Sequence, residues 1–404
     1  MEEQPHGTDL MRETWRWFGE FDPISLEEVA QTGASGIVSA LHAIPYGTVW
    51  PRDAIARRKA EIEAAGFTWD VVESLPVHED VKRGSGDLAP LFDAYRQSLT
   101  NLAAEGIKTV CYNFMPILDW TRTDLAAPLP RGGTCLHFSA AKMAAFEIHM
   151  LGREAARDDY HPDATRAGTD WFQTSTENDQ ADLLHAVMSG LPGAVDRYDI
   201  AALKEVCKTY VGLTHDDLRV NLARFLSEVV PTAETLGVNL CIHPDDPPRS
   251  ILGLPRIVST SEDIQWILRV VDSPANGLTL CTGSLGSRPK NDVPRIARAF
   301  GKRIHFVHLR NVTKSLDGSF SESAHLEGDV DLTAVIAALL AADPEQSRTL
   351  PFRADHGHML LTDMDRTFQP GYSLIGRMRG LAELRGLVSA FCRERDVAVS
   401  WSNE

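Results

Sequence analysis

Short apolar or alternating runs recur along the chain, and stretches with apolar residues at helical spacing separate them. The runs fall at residues 14–19 (TWRWFG), 36–41 (GIVSAL), 68–74 (TWDVVES) and 107–114 (IKTVCYNF), then at 238–243 (VNLCIH), 277–282 (GLTLCT), 303–309 (RIHFVHL) and 349–355 (TLPFRAD). Each reads as a strand. Local punctuation marks the helices between them. Ser25 and Glu28 are spaced as a capping box, and Gly33 supplies a stop. Thr214 and Asp217 precede a segment whose Leu218, Leu222, Phe225, Val229, Ala233 and Leu236 share one helical face. The alternation breaks over residues 116–212, where no strand is evident. Residues 139–159, 179–190 and 199–212 read as helices and "DLAAPLPRGGT" as a loop. The segment is therefore expected to be a helical insertion after the fourth strand, inside a single domain spanning residues 1–404.

Eight strands alternating with helices predict a (β/α)8 TIM barrel. The rival is an open, doubly wound sheet. No G-x-G-x-x-G turn follows the first strand, so a dinucleotide-binding half has little support. Composition narrows the function classes. The formal net charge of −16 disfavours general nucleic-acid binding and adhesion to anionic membranes. No run of eighteen apolar residues appears, and the first residues lack the layout of a signal peptide. The six cysteines are scattered with no C-x-x-C pair, which fits reduced, cytoplasmic usage. Most of them are expected to fill the core.

In a barrel, chemistry collects at the C-terminal ends of the strands. The last four strands end in "CIHPDDPP", "LCTGS", "FVHLRN" and "RADHGH", which bring His243, Cys281, His308 and Asp355 to one rim. Taken singly, each has an ordinary explanation: a hydrogen-bonded imidazole, a core thiol, a turn-forming carboxylate. Ligand-type side chains at equivalent places on successive strands instead suit a divalent transition metal. Other polar groups fit the same rim. They are His42 after the second strand, Asn113, Asp119 and Arg122 after the fourth, and Arg310, Asn311, His325 and Glu327 after the seventh. The planar donor fork of Arg310 would suit a carboxylate or hydroxyls. His358 is expected to make a structural hydrogen bond. Gly357 is expected to allow the turn that brings Asp355 and His356 to the same side.

The stretches "RWFGEFDPISLEEVAQTGASGIVSALHAIPYGTVW", "YNFMPILDWTRTDL", "CIHPDDPP", "LCTGS", "HFVHLRN" and "RADHGH" resemble the mannonate dehydratase family, sugar-acid lyases with a xylose-isomerase-like barrel. The likeness spans residues 16–372. It implies loss of water from D-mannonate to give 2-keto-3-deoxy-D-gluconate in hexuronate breakdown, with bound Mn2+ or Fe2+ in a cytoplasmic homo-oligomer. By position it puts the metal ligands on His243, Cys281, His308 and Asp355, the set the strand ends had already singled out. It puts the catalytic pair on His356 and Tyr372. Imidazole titrates near neutrality and a phenol stays protonated there, which favours His356 as base and Tyr372 as acid, with the opposite division as the alternative. Arg310, Asn311, His325, Asn113 and His42 are then candidate substrate contacts. A metal-dependent sugar isomerase or epimerase of the same barrel type is the alternative enzyme. A non-catalytic sugar-binding protein is the alternative from another class.

Overall fold

The computed structural model describes residues 10–190, 198–343 and 348–402, with side chains through Arg393 in the last helix. Its strands in chain order are β1 (Met11–Arg16), β2 (Gly36–Ser39), β3 (Thr68–Glu73), β4 (Thr109–Tyr112), β5 (Asp124–Pro128), β6 (Thr134–Phe138), β7 (Asn239–Ile242), β8 (Asn276–Cys281), β9 (Ile304–His308), β10 (Asn311–Lys314), β11 (Phe320–Ser323) and β12 (Leu350–Arg353). Eight of them close into a barrel in the order β1-β12-β9-β8-β7-β4-β3-β2. Every neighbouring pair is parallel. Val38, Val71, Cys111, Cys241 and Phe306, from five barrel strands, form a small apolar cluster of their own. A larger core lies between the strands and the surrounding helices. All six cysteines are free thiols, and five are buried. Among the described residues no helix is long and apolar enough to cross a membrane.

Local signals hold where a side chain enforces them. Ser25 and Glu28 form a capping box at the helix Leu26–Ala30, and Thr214 and Asp217 form another at His215–Leu236. The first strand lies earlier than its apolar run implied, ending at Arg16 and not Gly19. Trp17 and Phe18 are buried, so the apolar run continues after the chain has left the ladder. Gly19, at φ +65, then turns it into a 3-10 turn.

The insertion is not purely helical. β5 and β6 form a hairpin in it, turning through Gly132 and Gly133, both in the left-handed region. The loop after β9 supplies a second hairpin, β10–β11. The two join as an antiparallel sheet, β10-β11-β6-β5. "DLAAP" gave no strand signal because it is a half-exposed edge strand, rich in alanine and ended by proline. Among the described residues four α-helices also lie in the insertion: Ala140–Ala145, Pro162–Thr174, Glu177–Val187 and Ile200–Lys208. Apolar residues of all four, Met143, Ala164, Leu183 and Leu203, share a second core with Phe138, Val312 and Phe320 of the sheet.

Candidate active site

Strand register alone brings the rim residues together. Cys281 pairs with His308 across β8 and β9, and His308 pairs with Arg353 across β9 and β12. His243 follows β7 directly. His243 Nε2 lies 3.1 Å from His308 Nδ1. Donor atoms of His243, Cys281 and His308 all fall within 4.8 Å of one another. Asp355 Oδ2 is 3.7 Å from Cys281 Sγ and 3.7 Å from His308 Nδ1. Asp355 reaches this position because its own backbone is left-handed, at φ +62. Aspartate tolerates that region better than most residues. The sharp turn therefore belongs to Asp355 and not to Gly357, whose φ is not positive. Gly357 serves close approach instead: a Cβ there would lie 2.4 Å from the Arg377 nitrogen.

A hydrogen bond from one imidazole and a carboxylate facing the other aim both at one point. His243 Nδ1 donates to the Pro244 carbonyl at 2.7 Å, which turns Nε2 inward. His308 Nε2 faces Glu73 Oε1 at 3.3 Å, which turns Nδ1 inward. Two imidazole lone pairs facing each other at this distance repel unless a proton or a metal cation sits between them. The electrostatics show the same need. Burial would lower His243, but the hydrogen bond and charge of Cys281 lift it to about 10. Burial would raise the Cys281 thiol, but Arg310, His243 and His308 hold it well below the usual thiol range. Burial likewise opposes ionisation of Asp355, and Arg353, His356, His308 and Arg310 overcome it. The pocket thus favours two anions and a shared positive charge. Two imidazoles, a thiolate and a carboxylate fit a borderline divalent cation such as Fe2+, with the carboxylate also suiting Mn2+.

Buried ion pairs surround the cluster. Arg310 contacts Asp246, Glu322 and Asp355. Arg122 shares Asp246 and Glu322, at 2.8 Å each. Arg353 pairs with Asp355 and with Glu73. Arg310 is therefore occupied by the protein's own carboxylates, and does not offer a free fork to a substrate. Asn311 is also corrected. Its amide donates to the His325 and Val330 carbonyls, and its carbonyl accepts from the Val312 and Val330 nitrogens. All its hydrogen-bonding capacity is spent inside the fold. Replacing Asn311 by Ala is expected to cost about 2–4 kcal/mol, since several buried backbone groups lose their partner. A urea titration checks this; an unchanged midpoint would contradict it. His325 is buried with Nε2 on the Ala354 carbonyl at 2.7 Å, so it fixes the chain just before Asp355. Glu327 is exposed in a loop. His358 makes the structural bond expected of it, to the Glu322 carbonyl at 3.1 Å.

His356 and Tyr372 lie side by side, with ring centroids 5.4 Å apart in an edge-on arrangement. The segments that carry them are tied by Gly357 N donating to the Gly371 carbonyl at 2.8 Å. A Cβ on Gly371 would lie 3.0 Å from the His356 ring, so glycine there lets the two approach. His356 Nδ1 lies 3.1 Å from Glu322 Oε1. Burial would raise Glu322, but Arg310 and His356 bring it to about 2, so it stays an anionic acceptor. The Nδ1 proton is thereby fixed and Nε2 is left to work. Phe18 packs edge-on against Tyr372 at 4.9 Å. Burial, opposed by Arg353, pushes Tyr372 up to about 12, so it remains protonated near neutrality.

Beside the cluster a cleft opens at the ends of β1 to β4. His42, Asn113 and Asp119 line it, as expected of rim residues, with Arg16, Tyr46 and Ser74. Sequence reasoning missed Glu73, Asp246, Glu322 and Arg16. Glu73 ends β3 as a polar residue after an apolar run, the same signal that found Cys281 and His308. Arg16 was hidden by the misplaced end of β1. Asp246 lies within "HPDD" but had no partner to suggest its role. Glu322 sits on a strand of the second sheet, which no local pattern revealed.

The D-mannonate dehydratase (UxuA) family model matches residues 11–397. This chain belongs to the D-mannonate dehydratase family. It is 52% identical over 385 residues to a mannonate dehydratase of Chromohalobacter salexigens, covering 94% of this chain and 98% of that one. It is 49% identical to one of Rhizobium meliloti, covering 94% and 97%. The crystal structure of mannonate dehydratase from Streptococcus suis serotype 2 superposes with a TM-score of 0.76 at 36% identity, covering 96% of this chain and 95% of that one. A D-psicose 3-epimerase structure, at 11% identity and a TM-score of 0.50, shares the fold alone.

Proposed function

We propose that this chain dehydrates D-mannonate to 2-keto-3-deoxy-D-gluconate, as a Mn2+- or Fe2+-dependent enzyme of hexuronate breakdown working in the cytoplasm as a homo-oligomer. The observation that carries the reading is the His356–Tyr372 pair set against the His243–Cys281–His308–Asp355 cluster, in a chain of this family. Those four residues would hold the cation, which supplies Lewis-acid stabilisation of negative charge on the sugar-acid carboxylate. His356 Nε2 takes the C2 proton, its other nitrogen being held by Glu322. Tyr372, protonated near neutrality, donates to the hydroxyl leaving C3, which departs as water. The enol that remains becomes the 2-keto acid. The proton gained by His356 balances the one lost by Tyr372. The buried position of both rings limits competing exchange with solvent.

The test is a product assay with D-mannonate, run with added Mn2+ or Fe2+ and with chelator. A 2-keto-3-deoxy acid formed only with metal is the expected result. C2 deuterium exchange without that product would indicate an epimerase. Binding with neither product nor exchange would indicate a sugar-binding protein. Glu73 orients His308 from behind, so Glu73→Gln is expected to weaken metal retention about 10–100-fold. Competition against a chelator measures it; full retention would remove Glu73 from that role.

A further inference from the structure

We infer that Arg16 binds the hydroxyl-bearing chain of the sugar acid, which makes it a substrate-positioning residue; this rests on the function proposed above. Arg16 is the last residue of β1, is 1% exposed and lines the cleft. None of its three guanidinium nitrogens has a hydrogen-bond partner among the described residues. Its countercharge, Glu73 Oε2, stands 3.6 Å from Nη1, outside hydrogen-bond range. The Phe18 ring lies 4.9 Å from the guanidinium carbon and covers one face. A buried guanidinium with every donor unused is costly unless something arrives to accept from it.

The cations that surround the cluster or line the cleft do not compete for that role. Arg310, Arg122 and Arg353 are taken up by Asp246, Glu322, Asp355 and Glu73. Lys82, the other lysine or arginine lining the cleft, donates to Glu79 and to the Met115 carbonyl. With the carboxylate end drawn to the cluster, the remaining carbons extend into the cleft. There a planar fork of donors suits oxygens on adjacent carbons. Glu73 links the two ends. One of its oxygens faces His308 and the other faces Arg16, which fixes the distance from the cluster to the chain-binding group.

The experiment compares D-mannonate with lactate, which carries the carboxylate and C2 hydroxyl but no further chain. Both are measured on Mn2+-loaded wild-type protein and on Arg16→Met and Arg16→Lys. KM is read for D-mannonate, and an inhibition constant for lactate. Arg16→Met is expected to raise KM for D-mannonate about 10–100-fold, the loss typical of hydrogen bonds from a charged group, with a smaller fall in kcat and no change for lactate. Arg16→Lys keeps the charge beside Glu73 but loses the fork, and is expected to raise KM for D-mannonate less, again sparing lactate. It carries the test alone if the Met variant does not fold. Equal weakening of both ligands would place Arg16 at the carboxylate and overturn the assignment. Unchanged constants for both would overturn it as well. Should the wild type bind D-mannonate without forming a 2-keto-3-deoxy acid, the dehydration reading fails. Titration calorimetry with the same two ligands then still decides Arg16.

Discussion

Tyr372→Phe is expected to lower kcat by about 10²–10⁴-fold, the range over which a positioned proton donor acts. Metal content and fold should be unchanged. The phenol is buried against Phe18 and His356, and Phe fills nearly the same volume. The informative measurement is kcat together with metal per subunit. A large fall in kcat at full metal loading supports the donor role. Full activity would remove Tyr372 from the mechanism. A fall in activity that tracks lost metal would instead make Tyr372 a prop for the cluster.

Cys281→Ala is expected to abolish tight metal binding and with it turnover. The change removes an anionic donor from the centre of the cluster, so its effect should exceed the roughly 10–100-fold loss typical of an outer partner such as Glu73. It also strips Arg310 and His243 of a neighbouring negative charge. In the metal-free variant His243 should therefore lose its proton well below the value of about 10 that the thiolate sustains. Metal analysis after dialysis, with activity before and after adding Mn2+, checks the claim. A variant that still retains metal and turns over would show that the donors lie elsewhere.

The barrel was legible because it rests on repetition: apolar runs, helical spacing and caps such as Ser25–Glu28 each act over a few residues. The cluster was legible for a related reason. In a parallel barrel, strand ends are neighbours by construction, so His243, Cys281, His308 and Asp355 could be compared without knowing the loops. What depends on distant partners was not legible. Arg310 has the fork a carboxylate ligand wants, yet its carboxylates come from Asp246, Glu322 and Asp355 of the same chain. Asn311 looks like a ligand-binding amide, but its partners at His325 and Val330 are set by the path of a long loop. The hairpin β5–β6 was invisible because its edge strand is half exposed and its better strand pairs with a segment far along the chain.

That pairing has a consequence for how the molecule is made. His137 on β6 meets Ser321 on β11 across 184 residues of sequence. Contacts so distant in sequence form late, because a long loop must close before they return any energy. During synthesis β6 emerges long before β11, and until then one of its edges has no partner. Glu322 rides on β11, so the group that fixes the His356 proton arrives with the same closing step. A chain whose first seven barrel strands have already assembled would still lack β12 and, beyond it, His356 and Tyr372 themselves. The His356–Tyr372 pair can thus form only after the eighth barrel strand has been made.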